Sequence, residues 1–204
     1  MSPMIPDLEN YFRGFIPPRD ALLLALEEEA ARESIPIVGP VVGELLHILA
    51  RAAHAQNILE LGTATGYSAI YLARALPPAG KLLTLELNQD MAARARANFA
   101  KAGLSAQVEV RVGPALDLMA AMSETFDLIF LDIDKEGYLP ALPLCRGLLK
   151  IGGLLITDNV GFAGADPFNR EIFSQSSWRT VHLLTMLPQH SPEKDGLSLA
   201  VRVA

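Results

Sequence analysis

Carboxylate and amide side chains follow two apolar segments of this 204-residue chain, where strands are expected to end. Asp132 lies in FDLIFLDIDK (126–135), and Asp158 and Asn159 end GGLLITDN (152–159). If the two strands are parallel neighbours, the three side chains come within reach of one ion. Two carboxylates and an amide oxygen are hard ligands that suit Mg²⁺ best, with Mn²⁺ or Ca²⁺ as alternatives, and leave positions for substrate oxygens. The set predicts a divalent metal site.

Lys135 follows Asp132 by three residues. A nearby dication would favour the neutral amine, which could accept a proton from a hydroxyl, although a surface lysine is the alternative. The acids have a structural alternative too, because Asp and Asn commonly cap helices and shape turns. As a set at neighbouring strand ends, however, they favour metal binding. The histidines do not pair at metal-ligand spacing and are expected in structural or surface roles: His47, His54, His182 and His190.

The run ILELGTATGYSA (58–69) joins a short apolar strand to a helix through a glycine turn. Gly62 and Gly66 bracket the turn, where the backbone can approach a ligand closely. Glu60, at the strand end, would repel a pyrophosphate and suits a ligand with an ammonium group. Because Ala64 interrupts the spacing G-x-G-x-x-G, a dinucleotide used for hydride transfer is disfavoured. An ordinary strand-to-helix turn is the alternative.

Two other strand ends carry residues that suit a nucleotide-like ligand. Glu86 stands 20 residues beyond Gly66, a position from which an acid can accept hydrogen bonds from ribose hydroxyls. A solvent-exposed acid is equally compatible with that position. Gly113 and Ala115 flank a helix start where a flat ring could pack against small residues, although Pro114 is also an ordinary first helical residue.

Composition limits the classes of function. Half of the residues are apolar, which predicts one domain spanning 1–204, with a helical cap at 1–53 and an α/β core at 54–204. The net charge of −6 argues against a broad nucleic-acid surface and favours a small-molecule substrate. The single cysteine, Cys145, is expected in the core of a cytoplasmic protein. Neither a secretion signal nor a membrane span is indicated.

Apolar strand candidates alternate with helical segments through most of the chain, a pattern typical of a doubly wound, mostly parallel sheet. The strands are expected near 57–61, 81–86, 107–112, 126–131 and 152–157, and the helices near 66–76, 90–102, 115–121 and 137–149. Two N-terminal helices precede them, one from Asp20 to about Ser34 and one ending near Ala53. A short helix at 168–174 and strands at 178–184 and 197–203 predict an antiparallel hairpin at the sheet edge.

The order of the motifs ILELGTATGYSA, TLEL, VGPA, FLDIDK, TDN and DGLSLAVRV resembles that of the cation-dependent O-methyltransferases that use S-adenosylmethionine. This group contains the catechol and caffeoyl-coenzyme A O-methyltransferases and small bacterial relatives. The resemblance extends from about Pro18 to Val203. It implies a Rossmann-like class I methyltransferase fold, an α/β fold whose seven-stranded sheet has an antiparallel last strand, and usually a homodimer.

The resemblance also implies roles for individual positions. The methionine end of the cofactor would be held by Val38, Gly43, Glu60, Gly62 and Ser68, and the ribose and adenine by Glu86, Gly113 and Ala115. Asp132, Asp158 and Asn159 would bind the metal, with Asp132 also beside the cofactor, and Lys135 would be the catalytic base. A divalent ion chelated by two substrate oxygens would lower a hydroxyl pKa and hold the oxyanion in line with the sulfonium methyl.

The chain departs from the pattern of the group at three places. Ala64 stands where many relatives carry a larger, often aromatic residue, and the segment after Asn159 reaches the next helix sooner. Ser198 stands where the catechol enzymes place an acid that contacts substrate. The acceptor substrate is therefore not copied from either the catechol or the caffeoyl-coenzyme A enzymes. Two alternatives stay open for the activity itself: a metal-independent methyltransferase in which the acids are structural, and a protein that binds S-adenosylmethionine without turnover.

Overall fold

The computed structural model describes residues 3–204, and its seven strands form one sheet in the order β3-β2-β1-β4-β5-β7-β6. The strands are β1 Asn57–Leu61, β2 Lys81–Glu86, β3 Val108–Val112, β4 Phe126–Leu131, β5 Leu149–Thr157, β6 Trp178–Met186 and β7 Lys194–Arg202. Strands β1 to β5 pair in parallel, and β7 is antiparallel to both β5 and β6. The predicted seven-stranded sheet with a reversed last strand is confirmed.

Eight α-helices surround the sheet in the described part of the chain: α1 Leu8–Arg13, α2 Ala21–Glu33, α3 Gly39–Ala52, α4 Tyr67–Ala75, α5 Gln89–Lys101, α6 Ala115–Ala120, α7 Tyr138–Leu148 and α8 Asp166–Ser174. Side chains of α2 to α5 pack on one face of the sheet and those of α6 to α8 on the other. Asp20 caps α2, because its carboxylate accepts a hydrogen bond from the backbone N–H of Leu23 at 3.0 Å. No helix within residues 3–204 is long and apolar enough to cross a membrane.

The central strands are buried on both faces, which accounts for their continuous apolar runs. Along β1 the side chains alternate, so that Ile58 belongs to the cluster under α2 to α5 while Leu59 and Leu61 belong to the other. Each fully buried side chain of this kind contributes about 1.5–3 kcal/mol to the stability of the folded chain. Cys145 is a buried free thiol in the second cluster, as expected from the sequence. The strand ends are therefore anchored in two buried clusters.

The structure corrects several boundaries. Strand β5 begins at Leu149, three residues before the predicted start, because Gly152 adopts φ +82° and the pairing with β4 shifts register there. The Gly-Gly pair therefore lies within an irregular strand rather than at its start. Strands β6 and β7 are longer or displaced relative to the prediction, which leaves only residues 187–193 between them. Helix α1 was not predicted.

Candidate active site

The carboxyl ends of β1, β4 and β5 lie side by side, and the residues that follow them face one cavity of about 680 Å³. The ladder continues one residue past each strand: Asp132 N–H donates to the Leu61 carbonyl at 2.9 Å, and Asp158 N–H to the Leu131 carbonyl at 3.1 Å. Ten of the predicted site residues line this cavity: Val38, Gly62, Ser68, Glu86, Gly113, Ala115, Asp132, Lys135, Asp158 and Asn159.

The glycine turn forms one wall of the cavity and is held by Glu86. The Oε2 atom of Glu86 accepts hydrogen bonds from the backbone N–H groups of Thr63, at 3.1 Å, and Ala64, at 2.8 Å. Its Oε1 accepts from the N–H of Asn88 at 2.8 Å. Glu86 therefore already has a structural task, and its contact with a ribose stays a prediction. Ala64 lies in the cavity wall with φ +45°.

Gly62 is required by backbone conformation and by space. Its φ is +95°, and a Cβ atom there would overlap the carbonyl oxygen of Asp132. We expect Gly62→Ala to lower the free energy of unfolding by about 2–5 kcal/mol, the sum of the left-handed backbone cost and the steric overlap. Gly103 is the matched control, because its φ is +72° and a Cβ atom there would have no described atom within 4 Å.

For Gly103→Ala, only the conformational cost of about 1–2 kcal/mol is expected. Urea denaturation of both variants measures the difference between them. Equal losses for the two substitutions would show that the approach of Asp132 to Gly62 is looser than the structure indicates.

Glu60 is fully buried beneath the cavity and does not line it. Its Oε2 accepts a hydrogen bond from the Thr84 hydroxyl at 2.6 Å, whereas its Oε1 is without a partner within residues 3–204. Burial raises the pKa of Glu60 to about 8, against the lowering effect of the neighbouring Ser68 and Thr84 hydroxyls. A buried carboxyl with an unsatisfied oxygen is suited to a cationic hydrogen-bond donor on a ligand.

Asp132, Lys135 and Asp158 are linked at the opposite wall. The Nζ atom of Lys135 donates to Asp132 Oδ1 at 3.2 Å, to the Ile133 carbonyl at 3.2 Å and to the Tyr138 hydroxyl at 2.9 Å. The buried Tyr138 hydroxyl donates in turn to the Asp158 carbonyl at 2.9 Å. Tyr138, which sequence reasoning missed, thus fixes the lysine relative to the strand ends.

Desolvation, followed by the nearby Asp158 carboxylate, raises the pKa of Asp132 to about 6. A cation bound between the two side chains would offset the charge of Asp158 that acts on Asp132. Within residues 3–204, no three His, Cys, Asp or Glu side chains are arranged to hold a metal ion. The predicted ligand set is of a different kind, because it combines two acids with one amide.

His190, one of the four histidines expected in structural or surface roles, also belongs to the cavity wall. Its Nε2 lies 2.8 Å from Asp158 Oδ2, and its Nδ1 lies 2.7 Å from the Pro192 carbonyl. Burial opposes protonation of the ring, but the hydrogen bond and charge of Asp158 outweigh it and raise the pKa of His190. No local sequence pattern marks this residue, because its partner is 32 positions away.

Two other residues lie away from the cavity. Gly43 is buried in α3, where a Cβ atom would overlap the ring of Tyr71, so its glycine serves helix packing. Gly43 lies within α3 rather than in the loop before it, and its contact with the cofactor stays a prediction. Ser198 is buried in β7 opposite Thr157 and His182 and does not line the cavity.

Comparison with known proteins identifies the family to which the chain is similar. Residues 19–183 match the O-methyltransferase family. The chain is 40% identical over 159 residues to a catechol O-methyltransferase of Niastella koreensis, covering 75% of this chain and 72% of that protein. It is 38% identical over 162 residues to a catechol O-methyltransferase of Mycobacterium tuberculosis, covering 78% and 74% respectively.

Solved structures agree with the sequence relatives. An O-methyltransferase from Bacillus cereus in complex with SAH superposes with a TM-score of 0.86 at 32% identity, covering 96% of both chains. The O-methyltransferase TomG from Streptomyces achromogenes in complex with SAM gives a TM-score of 0.86 at 29% identity, covering 97% of this chain and 96% of that one. With the family match spanning most of the sequence, the chain belongs to the O-methyltransferase family of S-adenosylmethionine-dependent enzymes, which confirms the resemblance drawn from its motifs.

Proposed function

We propose that this enzyme transfers the methyl group of S-adenosylmethionine to a hydroxyl of a small molecule with vicinal oxygens, such as a catechol or a caffeoyl-like phenol, with the help of a divalent cation. The observation that carries the proposal is the single cavity in which Asp132, Asp158, Asn159 and Lys135 face the glycine turn. A volume of about 680 Å³ is in the range of pockets that hold a cofactor with a small acceptor. Relatives named catechol O-methyltransferases support this acceptor class.

The residues at the strand ends fit a hard divalent ion. Asp132 and Asp158 supply carboxylates, and Asn159 supplies an amide oxygen. The Nδ2 atom of Asn159 donates to Asp195 and to the Ser191 carbonyl. The Oδ1 atom of the same amide has no hydrogen-bond partner within residues 3–204. When bound, Mg²⁺, or Mn²⁺ or Ca²⁺ in its place, would lower the pKa of an acceptor hydroxyl and orient two neighbouring oxygens.

The other wall would hold the cofactor. Ser68 and Gly62 lie above the buried Glu60, whose free oxygen suits the ammonium of the methionine end. Val38 lines the cavity from the residue just before α3. Gly113 and Ala115, at the start of α6, offer a flat surface for the adenine.

The contacts of Lys135 support its proposed role as the base. The Tyr138 hydroxyl, which uses its proton on the Asp158 carbonyl, offers Lys135 an oxygen acceptor and fixes Nζ beside Asp132. In its neutral form the amine would take the proton of the acceptor hydroxyl. The resulting oxyanion would attack the methyl carbon of S-adenosylmethionine as the methyl–sulfur bond breaks, which releases S-adenosylhomocysteine.

Mass spectrometry of products from a phenol panel tests the proposal. With S-adenosylmethionine and Mg²⁺, catechol and caffeic acid should gain one methyl group, and resorcinol, whose hydroxyls are not adjacent, should gain none. Chelation by EDTA should stop the reaction, and added Mg²⁺ should restore it. Activity that persists in EDTA would favour the metal-independent alternative, whereas cofactor binding without product from any acceptor would favour a non-catalytic binding protein.

We further propose that the enzyme forms a homodimer, which light scattering can check.

A further inference from the structure

Asp195 is a buried carboxylate located behind Asn159 and outside the cavity wall. It lies at the start of β7, is 3% exposed, and takes part in no ion pair within the described chain. Its Oδ1 accepts hydrogen bonds from the backbone N–H groups of Gly161 at 3.0 Å and Gly196 at 2.6 Å, and its Oδ2 accepts from Asn159 Nδ2 at 2.7 Å. Burying a charge costs free energy unless hydrogen-bond donors satisfy it. The presence of a buried acid at this position therefore needs an explanation.

The contact with Asp195 determines which end of the Asn159 amide faces the cavity. A carboxylate accepts hydrogen bonds only, so it selects the NH₂ end of the amide. The second contact of Nδ2, at 3.4 Å to the Ser191 carbonyl, makes the same selection. The backbone of Asn159 is itself held at φ +50°. If the amide flipped, Oδ1 would face a carboxylate oxygen and a carbonyl oxygen, so the flipped state is disfavoured.

We propose that Asp195 is a positioning residue for the cation site: by holding Nδ2 of Asn159 it keeps Oδ1 directed at the ion. The proposal rests on the cation-dependent function given above. Residues that orient metal ligands commonly change metal affinity by about 10- to 100-fold when they are mutated. The segment 190–195 would then support two ligands, since His190 contacts Asp158 while Asp195 contacts Asn159.

The substitution Asp195→Asn keeps the shape of the side chain and tests this role. If the new oxygen keeps the N–H groups of Gly161 and Gly196, the new NH₂ group must face the NH₂ group of Asn159. Because two donors cannot pair, Asn159 should turn its NH₂ group toward the cavity. We expect Mn²⁺ affinity, measured without substrate from the paramagnetic resonance signal of free Mn²⁺, to fall by about 10- to 100-fold. The affinity for S-adenosylmethionine, measured by calorimetry, should be unchanged.

A reversed pair provides the rescue. In the double variant Asp195→Asn, Asn159→Asp, the amide introduced at position 195 donates its NH₂ group to one carboxylate oxygen at position 159, and the other oxygen faces the cavity. The total charge is that of the original pair, so Mn²⁺ affinity should recover to within about 10-fold of the original value. Asn159→Asp alone is the comparison, because it adds the same carboxylate to the ligand set but sets it against the Asp195 carboxylate; if Asp195 orients residue 159, the double variant should bind Mn²⁺ more tightly than this single variant.

Asp127→Asn is the matched control. Its carboxylate also accepts two backbone N–H bonds, from Gln56 and Asn57 at 2.8 Å each, but at the amino ends of β1 and β4. This variant should lose stability without losing Mn²⁺ affinity.

Three results would overturn the role of Asp195: unchanged Mn²⁺ affinity in the folded Asp195→Asn protein, a parallel loss of Mn²⁺ and cofactor affinity, or no recovery in the double variant. If the unsubstituted enzyme binds no Mn²⁺, the cation site of the proposed function fails first, and the role of Asp195 fails with it. Catechol methylation by the unsubstituted enzyme, measured with Mg²⁺, shows separately whether the proposed function holds when the role of Asp195 fails.

Discussion

Asp132→Asn is expected to reduce kcat/KM for catechol methylation by about 10³-fold, which corresponds to about 4 kcal/mol of transition-state stabilisation. The change removes one of two carboxylates at the strand ends and the ionic partner of Lys135, whose Nζ lies 3.2 Å from Asp132 Oδ1. Asn keeps the size of the side chain, and the backbone bond from Asp132 N–H to the Leu61 carbonyl is unaffected. The loss should persist when both S-adenosylmethionine and catechol are saturating, and should therefore appear in kcat.

Steady-state kinetics with Mg²⁺, together with Mn²⁺ titration, measures this effect. Asp166→Asn is the control, because that acid is exposed on α8 and pairs only with Arg170 on the same helix within the described chain. Its kinetics should match those of the original enzyme. An Asp132→Asn enzyme that keeps most of its activity would remove Asp132 from the reaction and favour the metal-independent mechanism.

Glu60→Gln is expected to have opposite effects on binding and stability. Cofactor affinity should fall by about 10- to 100-fold, the value of a charge-assisted hydrogen bond to the ammonium group. The ligand-free variant should be more stable than the original protein at pH 8, because a buried carboxylate is replaced by a neutral group of similar size. The unsatisfied Oε1 of Glu60 is the basis of both expectations.

The direction of the pH dependence follows from the raised pKa of Glu60, about 8 in the folded protein against an ordinary value of 4.5. The folded state holds the proton more tightly than the unfolded state, so this group's contribution to stability is fully present below pH 4.5 and is lost as pH rises toward 8. The glutamine that replaces Glu60 in the variant does not titrate. The stability difference between variant and original should therefore be small at pH 5 and largest at pH 8.

Urea denaturation at the two pH values and calorimetric titration with S-adenosylmethionine measure the two effects separately. Glu109→Gln, a change at an exposed acid on β3, should alter neither. Unchanged cofactor affinity in Glu60→Gln would place the ammonium group of the cofactor elsewhere in the cavity.

Much of the fold could be predicted because it depends on local pattern. The buried strands β1, β2 and β4 begin and end where the sequence placed them, since each is a short apolar run bounded by polar or glycine residues. The location of the site followed from the rule that parallel strands present their carboxyl ends at one edge. Asp132 and Asp158 line one cavity, in agreement with this rule.

The parts that were missed depend on long-range pairing. His190 and Asp195 reach Asp158 and Asn159 across 32 and 36 positions. Asp195 begins the motif DGLSLAVRV, but nothing in that motif or around His190 indicates these contacts. Gly43 was placed at the cofactor by resemblance, and the structure shows that its glycine serves packing against Tyr71.

The sequence by itself determined the strands, the glycine turn and the acids at the strand ends, because apolar period and turn chemistry act between residues close in the chain. Only the tertiary structure decided what stands behind those acids. Insertion of β7 between β5 and β6 carries the segment 187–195 over the end of β5. The order of strands in the sheet depends on how much apolar surface each possible strand pairing buries across the whole core. The partners of Asp158 and Asn159 could therefore not be predicted from local sequence.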